Sequence, residues 1–551
     1  MKEEIEHREV AELDEEDIQS ELNEKPEATE EKLSVLEQIK QAKGVLKYML
    51  IIYVGATGVG IDALLFSLLL GDEGFRKRYG YWNEGSQSWV IKAVYQSGWN
   101  GGSQGAQIFG SLFSGQMSDV IGRLNTLRVA CVIAIAAAIV EITAKTAAIL
   151  VAGKVIMGLS VGIMITVVPP YLSELSPPNL RGYGAIGINF SMCFGQLLAA
   201  ITVMACSKSY TDIDDKRSYT VAMAIQFILV SVFLMLSPLL PESPTLLVQK
   251  GNLDKAQANI ARLYGDTTDY DKEAHFDELV AQVQKETIEH ELSKQVSYLE
   301  VFKGMNLWRT FLCSVVITGQ QWVGMSFVLP YINYFFENAG ISSSNEKTVG
   351  NFTVAVGGNI LSYFILQRFP RRGMFVGGVA FLTVSNLIIG CMTYASSSAA
   401  GYVVVVFIFL WSFVYQFSVG ANAYAILVEI PSSRLLAKSI SIASNVNNLV
   451  GFGLGYLIPY LYNPDEVNLG LKIQFVWMAT GAVLFFVALA FLPETKGRTA
   501  SEMDQMFENN VNPLHFDKVK FTVDGDIIHS TVRKGYFTWL KRKPFRSSSS
   551  D

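Results

Sequence analysis

Twelve runs of mostly apolar residues, each long enough to cross a lipid bilayer, leave this chain few ways to fold. A spanning helix needs about 20 such residues. The runs lie at 48–70, 91–116, 126–144, 149–172, 182–206 and 219–240, and after a polar gap at 307–335, 348–367, 373–394, 400–428, 437–461 and 472–492. Each set of six closes on a similar phrase, PESP at Pro241–Pro244 and PETKGR at Pro493–Arg498, with Pro and Glu where the apolar run meets water. Two halves that end alike indicate one membrane unit duplicated. The expected fold class is all-α integral membrane, with twelve transmembrane helices in two six-helix pseudo-symmetric bundles.

Half of the 551 residues are hydrophobic and the mean hydropathy is +0.29, too apolar for an ordinary soluble enzyme. The net charge of −6 carries no lysine-rich nucleic-acid footprint. Cys131, Cys193, Cys206, Cys313 and Cys391 sit in or beside apolar runs without metal-ligand or disulfide spacing, so they read as packing residues. The expected organisation is an acidic tail at 1–46, a bundle at 47–240, a charged helical linker at 241–306, a second bundle at 307–492 and a tail at 493–551. The first segment has no apolar core behind a basic start, so no cleavable signal is expected there. Within the linker, KGNLDKAQANIARLYG reads as a short amphipathic helix whose apolar residues are too scattered to span.

An even number of spans puts both termini on one side. Arg123, Arg181, Arg368, Arg371, Arg372, Arg434 and Lys438 fall on that side, against Arg76, Lys77, Arg78, Lys208, Lys216 and Arg217 on the other. With the basic residues of the linker and tail, the positive-inside rule places the termini in the cytoplasm, and a plasma-membrane location is expected.

Six motifs occur in a fixed order: GQMSDVIGR at Gly115–Arg123, PPYLSELSPPNLRG at Pro169–Gly182, PESP, GQQWVG at Gly319–Gly324, VEIPSSR at Val428–Arg434, and PETKGR. Together they resemble the sugar-porter branch of the major facilitator superfamily, from about residue 48 to residue 510. FGQLLAA at Phe194–Ala200, INYFFENAG at Ile332–Gly340, and EIPSSR preceded by Tyr424 are most similar to fungal α-glucoside–proton symporters. The resemblance implies the major facilitator fold, no enzymatic activity and no cofactor or metal. It also implies a sugar and a proton as partners, a lipid bilayer as surroundings and a monomer as the working unit.

Asp62 lies deep in the first run. An intramembrane carboxylate costs about 2.5–3.5 kcal/mol on insertion scales and so faces a cavity or a partner. A carboxylate dehydrated in one state and paired in another binds and releases a proton, and the resemblance implies that Asp62 is the coupling residue. The plainer reading is a structural acid paired to a neighbouring helix. Lys154, in the fourth run, is the partner expected for it; the alternative is a lysine that snorkels to water.

Sugar hydroxyls both donate and accept, which side-chain amides match, while aromatic faces cover the apolar side of the ring. The seventh run offers Gln320, Gln321, Ser326, Tyr331, Asn333 and Tyr334, the fifth Asn189, the tenth Tyr424, and the eleventh Asn445, Asn447 and Asn448. By resemblance, Gln320, Gln321, Asn189, Tyr424 and Asn447 match sugar-contacting positions, and Ser326 replaces the usual Asn. Substrate binding is thus assigned to Asn189, Gln320, Gln321, Ser326, Tyr331, Tyr424, Asn447 and Asn448. Amides also hold helices together, the reading preferred for Asn445.

A second constellation sits at helix ends on the side of the termini. Asp119, Arg123, Glu174, Arg181 and Glu242 belong to the first half, and Arg371, Arg372, Glu429, Arg434 and Glu494 to the second. As a network that forms only when the two sets of ends meet, they would act as a gate. As isolated surface charges they would contribute little, which is the reading preferred for Lys438. Three departures from the family pattern stand out. QRFPRR at Gln367–Arg372 lacks an acid, Arg434 is shifted two residues toward Glu429, and Val59 occupies a position where the α-glucoside group carries a second acid. Asn351 in NFT is a formal glycosylation acceptor too close to a span to be used.

Three functional readings follow: a proton-coupled sugar importer, a facilitative uniporter with a structural Asp62, and a non-transporting sugar sensor. The short tail disfavours the sensor. A membrane enzyme is disfavoured because no nucleophile, metal or phosphate-loop pattern appears and His7, His275, His290, His515 and His529 all lie outside the runs.

Overall fold

The computed structural model describes residues 43–176, 181–264, 276–277, 279–281, 283–284, 298–333, 336, 343–395, 398–432, 435–509 and 511–519. The first half comprises α1 (Lys43–Leu69), the short α2 (Glu73–Tyr79), a hairpin of β1 (Tyr81–Asn83) and β2 (Ser88–Val90), then α3 (Ala93–Ile121), α4 (Arg123–Thr143), α5 (Ala147–Leu175), α6 (Arg181–Ser209) and α7 (Arg217–Leu236). Two short helices follow, α8 (Pro244–Gln249) and α9 (Leu253–Tyr264). The second half comprises α10 (Gly304–Trp322) with α11 (Met325–Val328), α12 (Ser344–Arg368), α13 (Arg371–Cys391), α14 (Ser398–Tyr415) with α15 (Ala421–Glu429), α16 (Leu436–Tyr462) and α17 (Gln474–Phe491), and α18 (Ala500–Glu508) is the last described α-helix. We call the face where α1 begins the near face and the face of the hairpin the far face.

Among the described residues, ten helical spans are long and apolar enough to cross a membrane. α3 and α16 complete the twelve expected and are the two that fall short. Their polarity has a structural reason, because they pack on each other where the two halves meet. Gln96, Asn100 and Gln104 recur every fourth residue of α3, so they share one face. The glycines of α16 admit that face closely. A Cβ at Gly451 would come 2.9 Å from Gln104 Oε1, and one at Gly455 would come 3.3 Å from Gln104 Nε2. Polar and small residues that would be poor partners for lipid are good ones for a helix seam. α6 and α12 form the second contact between halves.

Two spans are broken. The seventh stops at Trp322 and restarts at Met325 around Gly324, whose φ of +96° suits glycine alone. The carbonyls freed there are met by side chains: Asn386 donates to Val323 O at 2.9 Å and Thr480 to Trp322 O at 2.6 Å. The tenth span carries a π-helical turn at Gln416–Gly420, between α14 and α15. Such turns often mark functional sites, because one extra residue re-aims the side chains around it.

Residues from opposite halves are tied together at the far face. Asn100 donates to the Tyr331 hydroxyl at 2.7 Å, and Asn333 to Leu68 O at 3.1 Å. Gln96 donates to Asn463 Oδ1 at 3.0 Å, and Asn463 in turn to Ile91 O at 2.9 Å. The Tyr81 hydroxyl of the hairpin reaches Asp465 at 2.8 Å, and Lys208 pairs with Glu346 at 2.5 Å. At the near face, α9 buries Ala256, Ile260 and Leu263, and the Tyr48 hydroxyl of α1 donates to Arg262 O at 3.3 Å. α18 docks on the second half through Arg309, whose guanidinium pairs with Asp504 at 2.5 Å and lies over the Phe507 ring. Cys131, Cys193, Cys206 and Cys313 are buried and unbridged, and Cys391 is exposed. Asn351 is fully buried within α12, out of reach of any glycosylating enzyme in the folded chain.

Candidate functional site

Asp62 and Lys154 meet inside the first half. The Lys154 ammonium donates to the Asp62 carboxylate and, at 2.8 Å, to the Asp62 backbone carbonyl, and it lies 4.8 Å from the centre of the Phe66 ring. Asp62 is 4% and Lys154 5% exposed, which answers the choice between partner and snorkelling lysine in favour of the partner. α1 and α5 hold the pair between them. A buried ion pair of this kind adds little net stability, but losing one member leaves an uncompensated charge. That sensitivity to the protonation of one carboxylate is what a proton-driven device needs.

A second polar cluster lies between the halves, at the breaks of the seventh and tenth spans. Gln320 and Gln321 end α10 and are buried. The Tyr415 hydroxyl donates to Gln320 Oε1 at 2.9 Å, and Tyr415 is itself held by stacking on Trp411, with ring centres 5.1 Å apart. Gln320 Nε2 is buried without a hydrogen-bond partner among the described residues. Tyr424, on α15, faces Gln320 and yet is 57% exposed, so this exposure is to an internal cleft. Ser326 donates to Gln321 Oε1, which fixes that amide across the Gly324 break. From α16, Asn447 brings a buried Oδ1 that also has no partner. Unmatched amide atoms beside a tyrosine face can donate to and accept from a polyhydroxylated ligand.

Three further expected residues come from the seventh, fifth and eleventh spans. Tyr331 is 2% exposed, stacked on Phe327 and bonded to Asn100, so in this conformation it roofs the far end of the cleft. Asn189 is half-buried on α6, and Asn448 is exposed on α16. Tyr334 lies outside the described residues.

The near-face charges form two clusters, one in each half. In the first, Arg123 pairs with Asp119 at 2.8 Å and Glu174 at 3.4 Å, and Glu242 accepts the Arg123 backbone N–H at 2.9 Å. In the second, Arg371 pairs with Glu429 at 3.4 Å, Thr495 donates to Glu429 at 2.5 Å, and Glu494 accepts the backbone N–H groups of Arg371 and Arg372 at 2.8 and 3.1 Å. Each glutamate after a span thus caps the start of an earlier helix in its own half, and the two halves do so alike. These ion pairs stay within their halves, whereas the far-face contacts bridge them. Arg434 and the Arg181 side chain lie outside the described residues.

The family model for "Sugar (and other) transporter" matches residues 76–507, well over half of the chain. The chain belongs to this sugar transporter family. Among curated relatives of the transporter, the general alpha-glucoside permease of Saccharomyces cerevisiae is 28% identical over 514 residues, covering 91% of this chain and 82% of the permease. The alpha-glucosides permease MPH3 of the same species is 27% identical over 484 residues, covering 86% and 79%. Among solved structures, the inward-open xylose transporter XylE from E. coli matches with a TM-score of 0.67 at 20% identity, over 84% of this chain and 99% of that one.

Sequence reasoning about this transporter missed Tyr415, Asn100 and Gln104. A signal existed for the latter two in the four-residue repeat of amides along α3. Tyr415 gave none, because its position depends on the π turn that follows it.

Proposed function

We propose that the protein is a proton-coupled sugar importer of the α-glucoside kind, working by alternating access as a monomer in the plasma membrane with its near face toward the cytoplasm. The observation that carries this reading is the buried Asp62–Lys154 pair in one half beside an amide-lined cleft between the halves. The pair supplies a site whose charge state changes with one proton, and the cleft supplies donors and acceptors for sugar hydroxyls. Gln320, Gln321, Tyr424, Asn447, Asn448, Ser326 and Asn189 are the residues we assign to sugar, with Tyr331 closing over it from the far end. The similarity to alpha-glucoside permeases supports that substrate class.

Among the described residues, far-face contacts bridge the halves while the near-face ion pairs stay within them, which supports a cleft open to the near face. The other state of the cycle needs Asn100–Tyr331, Gln96–Asn463 and their neighbours to part. The charges around Arg123 and Glu174 would then approach those around Arg371 and Glu429, and we assign the gate to that encounter. Transport then follows from which set of contacts is made, with proton and sugar biasing the choice.

The test is uptake of labelled maltose and glucose by cells lacking their own carriers, with external pH recorded. Alkalinisation on sugar addition that vanishes in Asp62→Asn is the expected result. Uptake without a pH change in the unaltered protein would leave a uniporter, and binding without uptake a sensor.

A further inference from the structure

We propose that Glu141 is a second proton-bearing carboxylate of the Asp62 site, and that Lys154 is the counter-ion the two acids exchange. The inference rests on the coupled reading above and extends it to a residue on a different helix.

Glu141 lies on α4 with no exposed surface. It packs against α5 at the residue before Lys154, where a Cβ at Gly153 would come 2.7 Å from Glu141 Cγ. One carboxylate oxygen, Oε2, accepts from Gln226 Nε2 of α7, itself buried. The other, Oε1, is buried and has no hydrogen-bond partner among the described residues. Of the charged groups around it, Lys154 of α5 and Asp62 of α1 act on Glu141; Gln226 of α7 is neutral.

The charges in this pocket do not balance unless a proton is present. Two carboxylates and one ammonium share a site in which no member is more than 5% exposed, and the ammonium is held by Asp62. An ionised Glu141 would leave a buried anion with a bare oxygen, which is strongly unfavourable. The orphaned Oε1 therefore carries a proton in this conformation, and Gln226 holds the other oxygen.

In the transfer step the O–H bond at Glu141 Oε1 breaks and an O–H bond forms on the Asp62 carboxylate, directly or across one water. The Lys154 ammonium keeps its three hydrogens and moves from Asp62 to the newly ionised Glu141. One cation, one anion and one neutral acid are present before and after. Asp62 then loses its proton to water on the open side, leaving two anions against one cation, which favours capture of the next proton.

The test uses the full-length protein in lipid vesicles, with E141Q, E141D and D62N compared to the unaltered chain. The relay predicts a protonated-carboxyl stretch in infrared spectra that is lost in E141Q. It also predicts loss of proton movement with sugar in E141Q, and recovery of that movement in E141D with a displaced pH profile. An unchanged infrared spectrum, or an unchanged proton-to-sugar ratio and pH profile in E141Q, overturns it. Should E141Q not fold, Q226L keeps the carboxylate but removes its donor; a shifted pH profile supports the relay and an unshifted one overturns it. If the unaltered chain moves sugar without protons, the symport reading fails and the relay with it. Loss of coupling in D62N alone sinks only the relay.

Discussion

Ser97 on α3 donates its hydroxyl to the backbone carbonyl of Tyr456 on α16 across 2.7 Å. The bond joins the two halves of the transporter directly, and it lies on the same stretch of α3 as Gln96 and Asn100, which reach Asn463 and Tyr331. Three of the far-face contacts between the halves thus come from one short stretch of one helix, beside those made by Leu68, Tyr81 and Lys208. Among the described near-face residues, each glutamate is instead occupied by the helix starts and arginines of its own half.

Weakening the far-face contacts should favour the opposite state. Tyr331→Phe removes the acceptor for Asn100, a bond worth about 0.5–1.5 kcal/mol, so the ratio of far-closed to far-open molecules should fall by up to about tenfold. Spin labels on Thr211→Cys and Val467→Cys, on far-face loops of opposite halves, should report a larger share of long distances. No change in that distribution would mean the seam does not set the state.

The Asp62–Lys154 pair should respond unequally to single and double changes. Lys154→Met leaves a buried carboxylate uncompensated and should cost about 3–5 kcal/mol. The combination of Lys154→Met with Asp62→Asn should recover most of this, because neither remaining group is charged. Thermal unfolding of the purified protein in detergent measures both.

Gln320→Ala removes a buried amide from the cleft and should weaken sugar half-saturation by about 1–3 kcal/mol, roughly 5- to 150-fold. Tyr415→Phe should do less, since it frees Gln320 Oε1 without removing the amide. Equal losses in the two variants would mean that the tyrosine itself touches the sugar.

Asp72 caps α2 by accepting the Phe75 N–H at 2.7 Å, and burial raises its carboxyl above the ordinary value despite that bond. The folded state therefore holds this proton more tightly than the unfolded chain. Its contribution is fully present below the unfolded carboxylate value of about 3.9 and is lost as pH rises through the folded value. Asp72→Asn keeps a capping side chain and removes the titration. The variant's melting temperature should gain on that of the unaltered protein between pH 4 and pH 7; a constant difference would refute the assignment.

Spans, their pairing into halves and the closing glutamates were legible because each depends on local composition or on a phrase repeated at matched positions. Asp62 stood out for the same reason: a carboxylate inside VGIDALLF has no apolar explanation. Lys154 could be named but not positioned, since one helical turn separates a lysine that pairs from one that reaches water. What the string hid was non-local. The hairpin before α3, the π turn that turns Tyr415 toward Gln320, and the capping of the Gly324 break by Asn386 and Thr480 all depend on which helices become neighbours. Glu141 passed unnoticed near the end of a span, where a glutamate is ordinary; only the packing of α5 and α7 around it makes it unusual. Tyr331 was read as a sugar contact from its place on the seventh span, and its bond to Asn100 across the halves had no sign in the string.

The polarity of α3 and α16 also bears on how the protein is made. A helix bearing Gln96, Asn100, Gln104 and Gln107 is a poor candidate for partitioning into lipid alone, and its complementary surface is synthesised more than 300 residues later. While the ribosome is still building the second half, α3 must be sheltered by α5, which packs along it, or by the insertion machinery. Chains that end before α16 would keep an amide stripe bare in the bilayer, a mark by which quality control could tell an unfinished transporter from a complete one.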